Sequence, residues 1–317
     1  MKLSVLITTY NHEEYIGRAI EGVLMQEVDF DYEIVVGEDC STDNTRGILL
    51  EYRNKYPDRI RLLLHDHNIG PNENFLRTLK QCGGEFIALL DGDDYWTSSH
   101  KLKRQMYLLA SDAAMSMCFH NVVLEEQGEF HKSFYPGNLS RTPALQDYIL
   151  YAMLSSVVFR NIFQGKSPEE LLDVTCGDVI LYYLLNKAGK TGYMDEEMAV
   201  YRVHSRGIWN SLTGKEQLKA HVDSFVRLRS ICDKNDAPLF DGLIDDYLFN
   251  IAICCLNEGD REGAGLYYRR LLSRFKLNRH YMKSLLSLTI RRLSPGVHSV
   301  IRRAYRPDER DTKKNTL

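Results

Sequence analysis

Asp91, Asp93 and Asp94 crowd the end of the apolar run FIALL at 86–90. Carboxylates packed this closely repel one another, and a fold tolerates them when a hard cation offsets their charge. The chemistry they suggest is a Mg²⁺ or Mn²⁺ site. A solvated turn has a similar composition, because Asp and Gly are common turn residues. The elements around the cluster decide between the two.

Residues 86–90 have the continuous apolar character of a strand buried on both faces. Upstream, residues 3–8 form another such strand, closed by Thr9, Tyr10 and Asn11, and Ile16, Ala19, Ile20, Val23 and Leu24 follow at helical spacing. A second strand at 32–37 stops at Glu38 and Asp39. Ser41, Thr42 and Asp43 then offer N-cap chemistry for a helix running to about Tyr52. A third strand at 60–64, the polar turn HDHNIGPNEN and a helix through about Gln81 lead to the break at Gly83 and Gly84. Such alternation predicts an α/β fold with a mainly parallel, doubly wound sheet, whose ligands sit beyond the carboxyl ends of the strands. Three of these four strands end in polar or acidic residues, which favours a site over a solvated turn. Neither G-x-G-x-x-G nor G-x-x-x-x-G-K-[ST] occurs, so a nucleotide bound here would need a metal to neutralise its phosphates.

Farther along, the sequence predicts a strand at 115–123, an irregular hairpin or loop at 125–134, a helix at 142–153 with Pro143 in its first turn, and a strand at 155–160. Gly177 and Asp178 open an apolar helix, where Asp178 reads most simply as an N-cap. Short strand-like pieces over 193–203 end in HSRGIWNS, whose His204 is either a packed loop residue or a ligand for metal or phosphate. Residues 215–290 are helical by periodicity, with a hairpin turned at Glu258, Gly259 and Asp260 that resembles one tetratricopeptide-type unit. The basic, amphipathic stretch 281–305 suits either a solvated helix face or an anionic membrane surface, and 308–317 reads as a frayed tail.

Bulk properties narrow the classes. A net charge of −3 over 317 residues gives no basic field for nucleic acid. Seven cysteines, an odd count without a CxxC pair, suggest reduced thiols in a cytosolic protein. No apolar run reaches membrane-spanning length, and MKLSVLITTYN is too short for a signal peptide.

Five segments in order, TTYN at 8–11, GEDCSTDNT at 37–45, NIGPNENF at 68–75, GEFIALLDGDDYW at 84–96 and VYRVHSRGIW at 200–209, resemble the inverting family 2 glycosyltransferases of GT-A fold. The resemblance covers roughly residues 1–212 and leaves the C-terminal third outside. It implies a Rossmann-like, mixed but mainly parallel sheet flanked by helices in a catalytic domain of residues 1–212; beyond it, periodicity and composition predict a helical extension at 213–307 and a disordered tail at 308–317. Thr8, Tyr10 and Asn11 would line the base pocket, with Asp39 accepting from the imide N–H of uracil or thymine. Glu38 and Asn68 would border the donor. Asp91 and Asp93 match the family's D-x-D motif: Asp93 would ligate the ion, Asp91 the ribose or a metal-bound water, and His204 the metal or pyrophosphate. Asp178 would be the catalytic base.

Glu38 and Cys40 depart from the commoner Asp and Gly, and Arg206 stands where a small residue is frequent, so it would contact phosphate or restrict the acceptor. The Q-x-x-R-W motif and membrane helices of processive synthases are missing. The implied reaction is a single transfer from a nucleotide sugar, UDP-linked by expectation, to a glycan or lipid-linked acceptor in surface-polysaccharide assembly. The chain would be cytoplasmic, on the inner membrane face if the basic tail binds lipid, and a homo-oligomer stays open. A sugar nucleotidyltransferase would need a Gly-rich, basic loop after the first strand, where NHEEYIGR stands instead. An inactive scaffold would tolerate a broken acidic set, which here is intact.

Overall fold

The computed structural model describes residues 1–131, 139–166 and 168–274. Its first 111 residues run β1 (Leu3–Thr9), α1 (Ile16–Leu24), β2 (Tyr32–Glu38), α2 (Thr45–Lys55), β3 (Ile60–Leu64), α3 (Pro71–Gln81), β4 (Phe86–Asp91), β5 (Tyr95–Trp96) and α4 (Lys101–Ser111). Then follow β6 (Met115–Glu126), β7 (Glu129–His131), α5 (Leu145–Tyr148), β8 (Val158–Arg160), α6 (Gly177–Ala188), β9 (Lys190–Val203) and α7 (Ile208–Ser211). Three helices, α8 (Gly214–Ile231), α9 (Ala237–Asn257) and α10 (Arg261–Arg274), complete the described chain. Two compact units result, Met1–Ser211 and the chain from Leu212 onward.

One sheet runs through the first unit in the order β3-β2-β1-β4-β8-β6-β9-β5, with β7 on β6. The strands β3, β2, β1 and β4 are parallel. Beyond β4 the sheet is mixed, because β8 pairs antiparallel with both β4 and β6 while β6 and β9 run parallel. Side chains of β1, β2 and β4 fill the core on both faces, as their unbroken apolar runs require. Register then places the polar strand ends in one row. Thr8 of β1 stands opposite Gly37 of β2 and Asp91 of β4, and Thr9 stands opposite Glu38.

Four features differ from the sequence-based expectations. The helix expected at 142–153 is only α5, because the chain leaves helical geometry and extends at Met153 (ψ 135°). The strand expected at 155–160 shortens to β8, preceded by a 3₁₀ turn at Leu154–Ser156. The pieces at 193–203 are one long strand beginning at Lys190, whose side-chain alternation is interrupted by register shifts near His120 and Asn121 of its partner. The loop at 125–134 opens as a tight β6–β7 hairpin, turned by Gln127 (φ 53°) and Gly128 (φ 84°), and residues 132–138 lie outside the described chain.

Strand β5 and helix α4, which carries Lys101, had no counterpart in the sequence pattern. The short strand β5 pairs with β9, so the acidic turn is tied to the sheet at both ends. Helix α1 lies against β5 through Gly22, where a β-carbon would stand 3.0 Å from the Trp96 backbone. The Trp96 indole is buried, donates to the Ser155 carbonyl at 2.8 Å, and carries the Lys101 ammonium 3.9 Å above its ring. Lys101 is itself fully buried, bonded to Gln105 at 2.7 Å, and burial pushes its pKa down to about 7.

In the second unit, Thr213 and Glu216 form a reciprocal cap on α8, and α9 and α10 form the expected hairpin around Gly259 (φ 79°). No helix among the described residues is long and apolar enough to cross a membrane. The basic stretch at 281–305 and the tail at 308–317 lie outside the described residues.

Candidate active site

The acidic turn is built on the row shared by β1 and β4. Thr8 Oγ1 donates to Asp91 Oδ1 at 3.3 Å. Gly92 is the residue that lets the turn close: a β-carbon there would stand 2.7 Å from Thr9 Cβ and 2.9 Å from His12 Nδ1. Asp93 Oδ2 lies 3.1 Å from His204 Nε2 and 3.7 Å from His12 Nε2. Asp94 turns inward, accepting from the Arg202 backbone N–H at 3.0 Å and lying beside the Ser155 hydroxyl.

The three carboxyls are electrostatically distinct. Burial, reinforced by the charge of Asp93, raises Asp91 to about 7. Burial alone would also raise Asp93, but the His204 hydrogen bond and the fields of both imidazoles outweigh it and hold that carboxyl below its ordinary range. Asp94 is raised well above its ordinary value by burial and its two neighbours. Asp93 is therefore the member of the set that stays anionic most readily. His12 is lowered despite the attraction of Asp93, because burial dominates.

Arg202 braces the turn from β9. Its guanidinium donates to the Asp93 carbonyl at 2.6 Å, lies 3.4 Å from Glu125, and sits over the rings of Tyr95 and Tyr15 at 4.3 and 5.1 Å. The Tyr15 ring in turn packs against His204, tilted by 34° with the ring centres 4.8 Å apart. Arg206, beyond His204, is half-exposed and pairs with Glu14 at 3.3 Å, which joins the 204–207 turn to the loop after β1.

A polar wall forms beyond β1 and β2. Asp39 is buried and takes the backbone N–H groups of Ile69 and Gly70 at 2.7 and 3.0 Å, while Asn68 donates to its carbonyl. Asn11 adopts φ 57° and accepts from the Thr42 N–H at 2.8 Å, so its loop is fastened to the one after β2. Tyr10 is exposed on the same edge. Glu38 is fully buried, paired with Arg46 and bonded to the Ser41 N–H. Cys40 has φ 58°, the left-handed conformation that favours glycine, so the loop keeps that geometry despite the side chain.

Asp178 lies in the first turn of α6, but it is not the cap: Cys176 holds that position and makes no side-chain capping bond. Burial raises the Asp178 carboxyl to about 6, against the pull of the Val179 N–H and its own. Its charge helps to raise Asp91, which places the two carboxyls within electrostatic reach across the site.

The structure thus brings together Thr8, Asp91, Asp93 and His204, leaves Asp178 within electrostatic reach of Asp91, places Asn11, Asp39 and Asn68 along one adjoining wall, and sets Tyr10 and Arg206 at the rim. Glu38 stands behind the wall. Sequence reasoning missed His12, Tyr15 and Arg202. A histidine directly after the polar strand end TTYN was the available clue to the first.

Among the described residues, no three His, Cys, Asp or Glu side chains form a preformed metal cage. Ions such as Mg²⁺ need none, since one or two carboxylates and substrate phosphates suffice. Asp93 with His204, and Asp91 beside them, offer donors of that kind. Among the described residues, the buried His204 Nδ1 has no hydrogen-bond partner, so the polar set is not saturated by protein groups.

Residues 4–160 match the family described as Glycosyl transferase family 2. An uncharacterized protein of Mycobacterium tuberculosis is 35% identical over 212 residues, 66% of this chain and 61% of that protein, so the match spans less than two thirds of its length. TuaG of Bacillus subtilis, a putative teichuronic acid biosynthesis glycosyltransferase, is 27% identical over 208 residues, covering 65% of this chain and 81% of TuaG. The crystal structure of S. aureus TarS 1–349 in complex with UDP-GlcNAc superposes with a TM-score of 0.60 at 19% identity, covering 92% of this chain and 82% of TarS. That likeness establishes a common GT-A architecture. Through residues 4–160, the chain belongs to glycosyl transferase family 2.

Proposed function

We propose that the protein is a metal-dependent, inverting glycosyltransferase that moves one sugar from a UDP-linked donor to a hydroxyl of a glycan or lipid-linked acceptor. The observation that carries this reading is the acidic turn at Asp91, Asp93 and Asp94, flanked by His204, with Asp178 within electrostatic reach of Asp91. Thr8, Tyr10, Asn11 and Asn68 frame the nucleoside, and Asp39, whose oxygens each retain a lone pair, accepts from the pyrimidine imide N–H. Glu38, paired with Arg46, keeps the ribose-side loop in place. Arg206 leaves Glu14 to meet the diphosphate.

Asp93 and His204, with Asp91, would hold Mn²⁺ or Mg²⁺, whose charge would offset that of the departing nucleoside diphosphate. Asp178 takes the proton of the acceptor hydroxyl on the opposite face of the sugar, as an inverting displacement requires. Its pKa of about 6 leaves it largely ionised at neutral pH yet basic enough to accept a proton. The bound UDP-GlcNAc of TarS supports a UDP donor, and the name of TuaG supports a surface-polysaccharide acceptor. Residues 1–212 carry this chemistry, and the extension at 213–307 places it at the inner membrane face through its basic stretch.

Screening UDP-, GDP- and CMP-sugars for thermal stabilisation, with Mn²⁺ and with chelator, tests the reading. Stabilisation by UDP-sugars that chelator abolishes is expected. Equal responses to all nucleotides would refute the donor assignment, and no response to any would refute the transferase.

A further inference from the structure

The loop before α6 has no part in the sheet, yet it must hold Asp178 against the donor. It contains Asp173 at φ 62°, an uncommon conformation for a residue with a side chain, so the chain reverses sharply there. One residue later, the Val174 carbonyl accepts from Asn72 Nδ2 at 2.5 Å. Asn72 Oδ1 fills the space over Gly177, where a β-carbon would stand 2.9 Å away. A single side chain from the first turn of α3 therefore touches the loop on both sides of Cys176, immediately before Asp178.

Asn72 is itself placed by the donor wall. Gly70, at φ 87°, precedes Pro71 at the start of α3, and the Gly70 N–H is held by Asp39. Two residues past Asn72, Asn74 anchors the same turn by donating to the Gly37 carbonyl at 2.9 Å and meeting His65 Nε2 at 3.1 Å. The path from Asp39 to Val174 thus consists of two backbone hydrogen bonds, a Gly-Pro corner and one amide.

We infer that Asn72 is a positioning residue: it fastens the Asp178 loop to the Asp39 loop, so that filling the donor pocket steadies the catalytic base. The inference rests on the donor-site reading above. Its physical content is a carboxylate shared at Asp39. A pyrimidine imide donates to a lone pair left free on the carboxylate that Ile69 and Gly70 orient, so the ligand binds the tightly held state of the 68–72 turn better than the loose one and favours it. The rigid start of α3 passes that difference to Asn72 and onward to Val174. Arrival of the acceptor then finds Asp178 held more firmly when the donor is bound.

Hydrogen exchange of the 172–178 backbone amides in the full chain, with and without UDP and Mn²⁺, tests the coupling, with UDP affinity measured by calorimetry. In the native protein, UDP should slow exchange of this segment about fivefold or more. Asn72→Asp has the same shape but no donor toward Val174, and Gly177→Ala displaces the amide from the other side. Both variants should bind UDP within about threefold of native while losing the UDP-dependent slowing. A merely structural tie would raise exchange equally with and without UDP, and that result would overturn the inference. Slowing that survives in either folded variant, or none in the native protein with UDP bound, would also overturn it. Failure of the native protein to bind UDP would remove the donor-site reading, and the coupling with it.

Discussion

Asp178→Asn should stabilise the protein while abolishing transfer. Burial holds the folded carboxyl at about 6 against an ordinary 3.8. A shift of about two units is worth about 3 kcal/mol against the folded state once the group is ionised, and that figure is a ceiling because solvent reaches part of the side chain. The realistic cost is about 1–2 kcal/mol. An acid whose pKa is raised by folding binds its proton more tightly when folded, so stability falls as pH climbs from 3.8 to about 6, and the full cost is present above that window. The neutral amide avoids this cost and still offers an oxygen to the Val179 N–H. For a unit the size of Met1–Ser211, a melting-temperature rise of about 2–8 °C at pH 7.5 follows, shrinking toward zero below pH 4. Turnover with an identified acceptor should fall about 10²–10⁴-fold, while donor binding persists. Calorimetric melts at the two pH values and a transfer assay check both halves. A variant with native turnover, or with an equal change in melting temperature at both pH values, would refute the reasoning.

Other outcomes follow from the same geometry. Asp93→Asn should abolish Mn²⁺-dependent UDP binding in calorimetry, since it removes the carboxylate most readily kept ionised; unchanged binding would remove the D-x-D assignment. Gly92→Ala should lower stability by about 1–3 kcal/mol and weaken UDP binding, because its β-carbon meets Thr9 and His12; denaturant titration with native values would show that the turn relaxes freely. Lys101→Met should raise the melting temperature by an amount that is greatest below pH 7 and fades toward pH 10, because the buried ammonium is costly only while protonated. A pH-independent effect would assign the change to packing alone.

The first half of the fold was legible because its strands are long, apolar and terminated by polar residues, and because each helix between them repeats its apolar face. The second half was obscured by pairing. β5 has two residues and acquires meaning only beside β9, and β9 itself hides behind Asp195, Glu196 and Glu197, which interrupt its alternation where the ladder shifts register. Within the site, the carboxylates of the acidic turn were legible from their crowding, whereas Asp178 was singled out only by the family resemblance, since its place ahead of an apolar helix reads as an N-cap, a position that Cys176 holds. His12 was not, because its role depends on the loop after β1 folding back over Gly92. Lys101 lay farther still from sequence reasoning. A lysine at the start of a helix reads as a surface residue, and only the fold puts it beneath Trp96.

That buried pair gives the protein an intrinsic optical reporter. Trp96 is one of two tryptophans in the chain and follows Asp94 by two positions, at the point where the acidic turn re-enters the sheet. Its indole is shielded from water, and the ammonium 3.9 Å above the ring ties its emission wavelength to the protonation of Lys101. With Trp209→Phe isolating this fluorophore, ligand titrations at the acidic turn become readable by eye of a fluorimeter, without labels or a coupled assay. The background contribution of Lys101 is identified by its own midpoint near pH 7.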